Sequence, residues 1–351
     1  MVNRALVVRL DNAGDVLLAG PAVRAVAAAS DSVTLLAGPA GAAAARLLPG
    51  VDEVIEWRCP WIDPSPDPVD ADVVTAVVRE LESRRFDRAL VLTSFHQSPL
   101  PTALVLRQAG VPWVGAISED YPGSLLDLRH RVDDSLPEAE RALSLAEAAG
   151  YRLPVGDGSR LAVRRPLPRV AHLVPADRYV VLHPGTSVPA RAWPVERFAE
   201  AARLLVDAGR SVVVTGAASE AGLTRRVARA APVTDLGGRT SLAELAAVLE
   251  LADAVVAGNT GPAHLAAAVG APVVSLFAPT VPASRWAPYG VPTVLLGDQE
   301  AVCRDTRVTR CPFPGHPCLT SVTAEEVIRA VEKLSGPPGQ GPGSSLIKEA
   351  L

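Results

Sequence analysis

Apolar and polar positions alternate along this chain in blocks, not residue by residue. In the first half, short apolar runs at Ala5–Leu10, Val33–Ala37, Val54–Trp57, Arg88–Leu92 and Pro112–Gly115 read as strands. Between them the pattern predicts helices over Val16–Ala29, with Pro21 as a flaw near the first turns, and over Ala40–Leu48, Val73–Arg84 and Glu138–Ala149. Cys59–Asp72 is rich in Pro and Asp and reads as a loop. The second half repeats the scheme, with strands predicted at Tyr179–Leu182, Ser211–Thr215, Val233–Asp235, Ala254–Ala257 and Val273–Phe277. Its helices are predicted over Val195–Ala208, Ala221–Ala230, Leu242–Leu251, Ala263–Val269 and Thr323–Leu334. Ser241 and Glu244 fit a capping box at the start of the third of these. Strands alternating with helices argue for α/β architecture with parallel sheets. Gly156–Asp177 breaks the rhythm, being Arg- and Pro-rich with no strong period, so a linker between two domains is expected there.

Parallel α/β sheets bind ligands outside the C-terminal ends of their strands, so the strand-exit loops carry the candidate chemistry. The stretch Ala254–Pro279 reads as strand, loop, helix, strand. Its loop, Gly258-Asn259-Thr260-Gly261-Pro262, lets Asn259 or Thr260 cap a helix with Pro262 in its first turn. A helix N-terminus presents unpaired N–H groups and a positive dipole end, which together suit an anion such as phosphate. A plain βαβ turn is the competing reading. Two further exit loops, His183–Ser187 and Gly216–Glu220, are expected on the same sheet edge. The three loops together supply the hydroxyls of Thr186, Ser187 and Thr260, amides at Gly185, Gly216 and Gly261, the Arg191 guanidinium and the Glu220 carboxylate. Hydroxyls, amides and Arg suit a diphosphate, and a carboxylate suits a ribose diol. In the first half, Asp15 follows Gly14 at a strand exit. It serves there either as a dipole partner or as a general base. The loop Thr93–Pro99 contains His96 and Gln97, which either line a cleft or lie on the surface.

Composition narrows the classes. The chain has 351 residues, a net charge of −4 and 34 basic residues, nearly all Arg, so nucleic acid is not an expected partner. Charges at Arg4, Arg9 and Asp11 interrupt any signal-peptide core, and Gly and Pro punctuate the uncharged stretch Ala254–Ser284. A cytoplasmic protein with at most peripheral membrane contact is expected. There is no G-x-G-x-x-G after the first strand and no phosphate-binding G-x-x-x-x-G-K-[ST]. Cys303, Cys311, His316 and Cys318 lack a recognisable metal-ligand spacing and read as a structural loop, with a bound metal as the alternative.

Five segments in order resemble glycosyltransferase family 9, the heptosyltransferase-like enzymes of the GT-B fold. They are RLDNAGDVLLAGPAVRA, HPGTSVPARAWPVERFAEAA, TGAASE, the run from Asp235 to Thr280, and CPFPGHPCLTSVTAEEV. The resemblance implies two Rossmann-like domains with parallel sheets facing a central cleft. It implies an acceptor-binding domain over 1–165, a linker over 166–177 and a nucleotide-sugar-binding domain over 178–322. A helix over 323–334 crosses back to the first domain, and a tail over 335–351 is expected to be disordered. The implied reaction is inverting transfer of a heptose or related hexose from an ADP-linked donor to the hydroxyl of a glycan, glycolipid or small molecule. It uses no cofactor and no metal. Asp15 matches the family's proposed base. Thr186, Ser187 and Arg191 match its phosphate contacts, Glu220 its ribose contact, and Thr260 and Gly261 its helix start, with His264 beside them. His96 and Gln97 fall on the acceptor side. Asn259 stands where many members carry Asp. A nucleotide-sugar epimerase and a non-catalytic nucleotide-sugar-binding protein remain the alternative readings.

Overall fold

In the computed structural model, which describes residues 3–133 and 135–336, the chain divides into two units, Met1–Arg164 and Arg165–Leu351. The strands of the first are β1 (Arg4–Arg9), β2 (Ser32–Ala37), β3 (Glu53–Glu56), β4 (Arg88–Val91), β5 (Trp113–Ile117) and β6 (Leu128–His130). They pair in the order β3-β2-β1-β4-β5-β6, every neighbour parallel. The helices are α1 (Ala13–Leu18), α2 (Gly20–Ala27), α3 (Pro39–Leu47), α4 (Ala71–Arg84), α5 (Leu100–Gln108) and α6 (Glu138–Ala148). Five of the six residues of β1 are buried, because a central strand in a parallel sheet is covered on both faces. One core cluster runs from Leu6 and Val8 of β1 through Leu81 of α4 to Leu106 of α5 and Val114 of β5.

The single helix expected over Val16–Ala29 is two. The Ala19 N–H closes α1 on the carbonyls of Asp15 and Val16, and Pro21 then occupies the first turn of α2. Proline has no N–H to donate back into α1 but fits a new helix start, so the ring ends one helix and opens the next. Residues 100–108 and 128–130, for which the sequence pattern suggests no element, form α5 and the edge strand β6.

The second unit contains β7 (Tyr179–His183), β8 (Ser211–Val214), β9 (Thr234–Asp235), β10 (Ala254–Gly258), β11 (Val273–Leu276) and β12 (Thr293–Leu296). Their order is β12-β11-β10-β7-β8-β9, again all parallel. Counted from each unit's own first strand, the two sheets have one and the same order. The helices are α7 (Val195–Asp207), α8 (Ala221–Ala228), α9 (Leu242–Glu250), α10 (Gly261–Val269), α11 (Ala283–Trp286), α12 (Pro317–Thr320) and α13 (Ala324–Ser335). The Ser241–Glu244 capping box forms, with the Glu244 N–H on Ser241 Oγ at 3.2 Å and the Ser241 N–H on Glu244 Oε2 at 2.8 Å. Thr323 and Glu326 form a second box at the start of α13. Val327, Ala330 and Val331 of α13, the helix expected to cross back to the first domain, are buried in the core of the second unit with Phe198, Val256 and Leu319. Residues 150–178 contain no helix or strand. Residues 337–351, most of the tail expected to be disordered, lie outside the described residues. Among the described residues no helix is long and apolar enough to cross a membrane.

Both sheets have a point where successive connections depart in opposite directions. It lies between β1 and β4 in the first and between β7 and β10 in the second. Such a point parts the exit loops and opens a crevice at the carboxyl edge of the sheet. The loops singled out in the sequence are the ones leaving these four strands and β8.

Candidate functional site

At the switch point of the first sheet stands a buried cation. Arg9 ends β1 and is 3% exposed. Its Nε lies 3.0 Å from Asp11 Oδ2, and its Nη2 lies 3.1 Å from Asp15 Oδ1 and donates to Ser94 Oγ at 3.0 Å. Glu138 Oε2 of α6 is 3.9 Å from the same Nη2 and 3.7 Å from Arg141 Nη1. Burial would lower the Arg9 pKa, but the carboxylates of Asp11, Asp15 and Glu138 hold it above the usual value. Burial pushes the Asp11 carboxyl above the ordinary range. The Arg9 charge and the Gln97 amide oppose this, and the Asp15 charge reinforces it.

Asp15 therefore sits in the first turn of α1, tied to Arg9 and partly open to solvent. Gln97 Nε2 donates to Asp11 Oδ1 at 2.6 Å, and its Oε1 accepts from the Ser94 N–H at 3.0 Å. The loop after β4 is thus fastened to the loop after β1. His96 is exposed, with its ring edge-on to Phe95 at 5.7 Å. Sequence reasoning missed Arg9, Asp11, Glu138 and Arg141 as parts of this group. The only local signal is a charged residue inside the apolar run of β1. Glu138 and Arg141 look like ordinary helix-face charges until α6 buries them.

In the second unit the three exit loops meet. Gly185 lies flat against the Glu220 carboxylate, where a Cβ would come within 2.1 Å of both Cδ and Oε1. Only glycine leaves that space, so Gly185 joins the loop after β7 to the loop after β8. The Ala217 N–H binds Glu220 Oε2 at 2.8 Å and fixes the carboxylate. His183, fully buried at the end of β7, has Nδ1 2.9 Å from Thr215 Oγ1 and Nε2 3.7 Å from Glu220 Oε2. Burial lowers its pKa to about 4 despite the Glu220 charge. The loop after β10 joins at Gly258, where a Cβ would lie 3.2 Å from the Arg191 carbonyl oxygen. His264 of α10 is buried, and its pKa is lowered to about 4, first by burial and then by the Arg191 charge.

The start of α10 differs from expectation in one respect. Thr260 takes the N-cap position, but its hydroxyl donates to the Gly258 carbonyl at 3.4 Å and does not cap an N–H of α10. Asn259 does not cap the helix either. Pro262 has no N–H and the Ala263 N–H turns onto Thr260 O at 3.1 Å, so Gly261 is the amide that the helix start presents. Asn259 Nδ2, His264 Nδ1 and Thr280 Oγ1 are buried at this end of the sheet and have no hydrogen-bond partner. Buried polar atoms are nearly always satisfied, so unmet ones clustered at a strand-exit crevice mark a place for polar atoms of a ligand. Thr280, which follows β11, was not singled out in the sequence. Thr186 is half-buried, and its hydroxyl accepts from the Val188 N–H at 3.2 Å, which shapes the turn toward Arg191. Ser187 is exposed.

The cysteine-bearing segment is packed against this turn. His316 Nε2 lies 3.0 Å from the Ala190 carbonyl, and the Ala190 N–H binds Thr309 O at 3.0 Å. Cys303 and Cys318 are buried in the core of the second unit, and burial with the neighbouring Cys303 pushes the Cys318 thiol up to about 12. Among the described residues no group of three or more His, Cys, Asp or Glu could hold a metal ion.

Comparison with known proteins agrees with the two-sheet α/β fold. Residues 74–316 match the family model "Glycosyltransferase family 9 (heptosyltransferase)". A lipopolysaccharide heptosyltransferase 1 from Pseudomonas aeruginosa is 31% identical over 306 residues, covering 80% of this chain and 81% of that protein. Among solved structures, a family 9 glycosyltransferase from Veillonella parvula superposes with a TM-score of 0.78 at 19% identity, covering 95% of this chain and 97% of its own. The E. coli heptosyltransferase WaaC with ADP-2-deoxy-2-fluoro heptose superposes with a TM-score of 0.69 at 23% identity, covering 94% and 99%.

Proposed function

The chain belongs to glycosyltransferase family 9, and from that premise we propose that it transfers a heptose or related hexose from an ADP-linked donor to an acceptor hydroxyl, with inversion. The observation that carries this reading is the convergence of the exit loops of β7, β8 and β10. They bring together Arg191, Glu220 and the start of α10, and they leave Asn259 Nδ2 and His264 Nδ1 buried without partners. The guanidinium and the Gly261 amide suit a diphosphate, and the Glu220 carboxylate suits the ribose diol. A relative solved with an ADP-heptose analogue points to the same donor class.

In this reading the second unit holds the donor and the first holds the acceptor. Asp15 accepts the proton of the acceptor hydroxyl as that oxygen bonds to the anomeric carbon. The bond from the anomeric carbon to the diphosphate breaks on the opposite face, and its electron pair leaves on the phosphate oxygen. Arg191 and the α10 start stabilise that charge, with no metal ion required. The bond between Asp15 and Arg9 fixes the carboxylate in place before substrate arrives. His96 and Gln97 contribute to the acceptor side.

The test separates binding from chemistry. ADP and ADP-heptose should raise the melting temperature more than the GDP, UDP and TDP compounds. A ligand at 100 times its Kd stabilises by about 2.7 kcal/mol. The variant Asp15→Asn should keep this shift and lose transfer. Near-normal transfer by Asp15→Asn overturns the base assignment, and no shift with any nucleotide overturns the donor site.

A further inference from the structure

The Glu220 carboxylate is backed by a buried imidazole ring that the chemistry described above does not use. In β7 and β8, Leu182 lies opposite Val214. The next pair in the same parallel register is His183 and Thr215, and side chains in register leave a sheet on the same face. His183 Nδ1 accordingly lies 2.9 Å from Thr215 Oγ1, with His183 5% exposed and Thr215 fully buried. The other ring nitrogen, Nε2, is turned to Glu220 Oε2 at 3.7 Å. That same oxygen accepts the Ala217 N–H at 2.8 Å. Gly185, two residues beyond His183, closes over the carboxylate, and Gly216 leaves only 3.3 Å between its own missing Cβ and the Cβ of Glu220.

A histidine beside a carboxylate suggests an ion pair, but burial holds this ring neutral. What it can offer Glu220 is one N–H. The partner of each ring nitrogen decides which of them carries the proton. A proton on Nδ1 would turn the Nε2 lone pair toward the carboxylate. A proton on Nε2 lets the Thr215 hydroxyl donate to Nδ1 and aims an N–H at Glu220 Oε2. The second arrangement replaces a repulsion with an attraction, so the chain of donors runs from Thr215 through His183 to Glu220. The last step, at 3.7 Å, is longer than a hydrogen bond, and a small turn of the carboxylate closes it. Oε2 is then engaged from two sides. Oε1 accepts no hydrogen bond among the described residues, and 20% of the side chain stays exposed. One oxygen anchors the group and the other remains for a ligand hydroxyl.

We propose that His183 is a positioning residue of the donor site. With Thr215 behind it, it fixes the Glu220 carboxylate to accept the hydroxyls of a ribose, so that the site takes ribonucleoside diphosphates in preference to their deoxy forms. The inference rests on the donor reading above and adds the residue that sets its selectivity for the diol. Both His183 and Thr215 act through Glu220.

Calorimetric titration of ADP and 2′,3′-dideoxy-ADP tests this. Hydrogen bonds to a charged acceptor are strong, so the parent protein should prefer ADP by about tenfold or more. His183→Phe keeps a ring and removes its N–H. It should weaken ADP alone and bring the two affinities within about threefold of each other. His183→Gln returns an amide N–H near the place of Nε2 and should keep most of the preference. Thr215→Val removes the donor to Nδ1 and should lower the preference by about threefold or more. With ADP-heptose as donor, the His183→Phe loss should fall on KM and leave kcat unchanged. A histidine that only supports the fold would weaken both nucleotides alike and leave their ratio at the parent value. That result in His183→Phe overturns the proposal, and so does a parent protein that binds the two nucleotides equally. If His183→Phe shows no cooperative melting, Thr215→Val decides, and an unchanged ratio there overturns the proposal. Each of those outcomes leaves the transferase reading standing so long as ADP-heptose shifts the melting temperature of the parent protein. Loss of that shift strikes the transferase reading, and this proposal with it.

Discussion

Replacing Arg9 with Met tests the buried charge group of the first unit. Arg9 is 3% exposed and lies within 3.1 Å of both Asp11 and Asp15, with Glu138 at 3.9 Å. Removing one partner of a buried ion pair costs about 3–5 kcal/mol, because the remaining charge is left uncompensated. Here Glu138 keeps Arg141 and Asp11 keeps Gln97, which places the expected loss inside that range and not above it. At roughly 2–4 °C per kcal/mol for a unit of this size, melting should fall by about 6–20 °C. The loss should also depend on pH. Burial already raises the Asp11 pKa and Arg9 opposes that rise, so the variant should raise it further. A carboxyl raised in the folded state adds stability below its unfolded value and loses it as pH rises through its folded value. The gap between Arg9→Met and the parent protein should therefore be widest at neutral pH and narrow on acidification. Denaturant unfolding at pH 7 and pH 5, read by hydrogen exchange in β1 and β4, measures both effects. A loss below about 1 kcal/mol, or one equal at the two pH values, would refute the reasoning.

Other expectations follow from the second unit. Gly185→Ala places a Cβ 2.1 Å from Glu220 Cδ and should destabilise by about 1–3 kcal/mol while weakening nucleotide binding. Adding Glu220→Ala should restore the melting temperature but not the affinity. Burial lowers the pKa values of His183 and His264 to about 4, so the fold holds both neutral. Stability present above pH ~6.5 should be lost as pH falls toward about 4, and His183→Gln should flatten that slope in a pH series of melting curves. Ser241→Ala removes the cap of α9 and should cost about 0.5–2 kcal/mol with no change in turnover.

Several features were legible in the chain because their causes are local. The buried strands β1, β7 and β10 appear as apolar runs, interrupted only at their ends by Arg4 and Arg9 in β1 and by His183 in β7, since a strand covered on both faces needs apolar side chains on both. The capping box at Ser241 spans one helical turn and is visible in four letters. Pro21 was visible too, but whether it bends a helix or divides it depends on what α1 and α2 pack against. Edge strands were harder to read. In β6 all three residues are half-buried and two of them are Arg129 and His130, so it presents no apolar run, while β12 is apolar over Val294, Leu295 and Leu296 but has no buried residue. At the α10 start the sequence does not show that the Thr260 hydroxyl turns to Gly258, leaving the helix without a side-chain cap, or that the Ala263 N–H turns to Thr260.

The amino-acid order alone determined the alternation of strand and helix, the two-part division, and which loops carry hydroxyls, Arg and carboxylates, since these rest on periodicity and on residues within a turn of one another. Only the tertiary structure decided which of those residues meet. The strand order sets β1 beside β4, and so brings Arg9 to Ser94, 85 positions away in the chain, and α6 adds Glu138. The same order in the second sheet seats the Glu220 carboxylate on Gly185 and the Arg191 backbone on Gly258. Such contacts form where strands pair across long separations, and the energy of burying a charge or closing a gap at glycine depends on neighbours that no local pattern names.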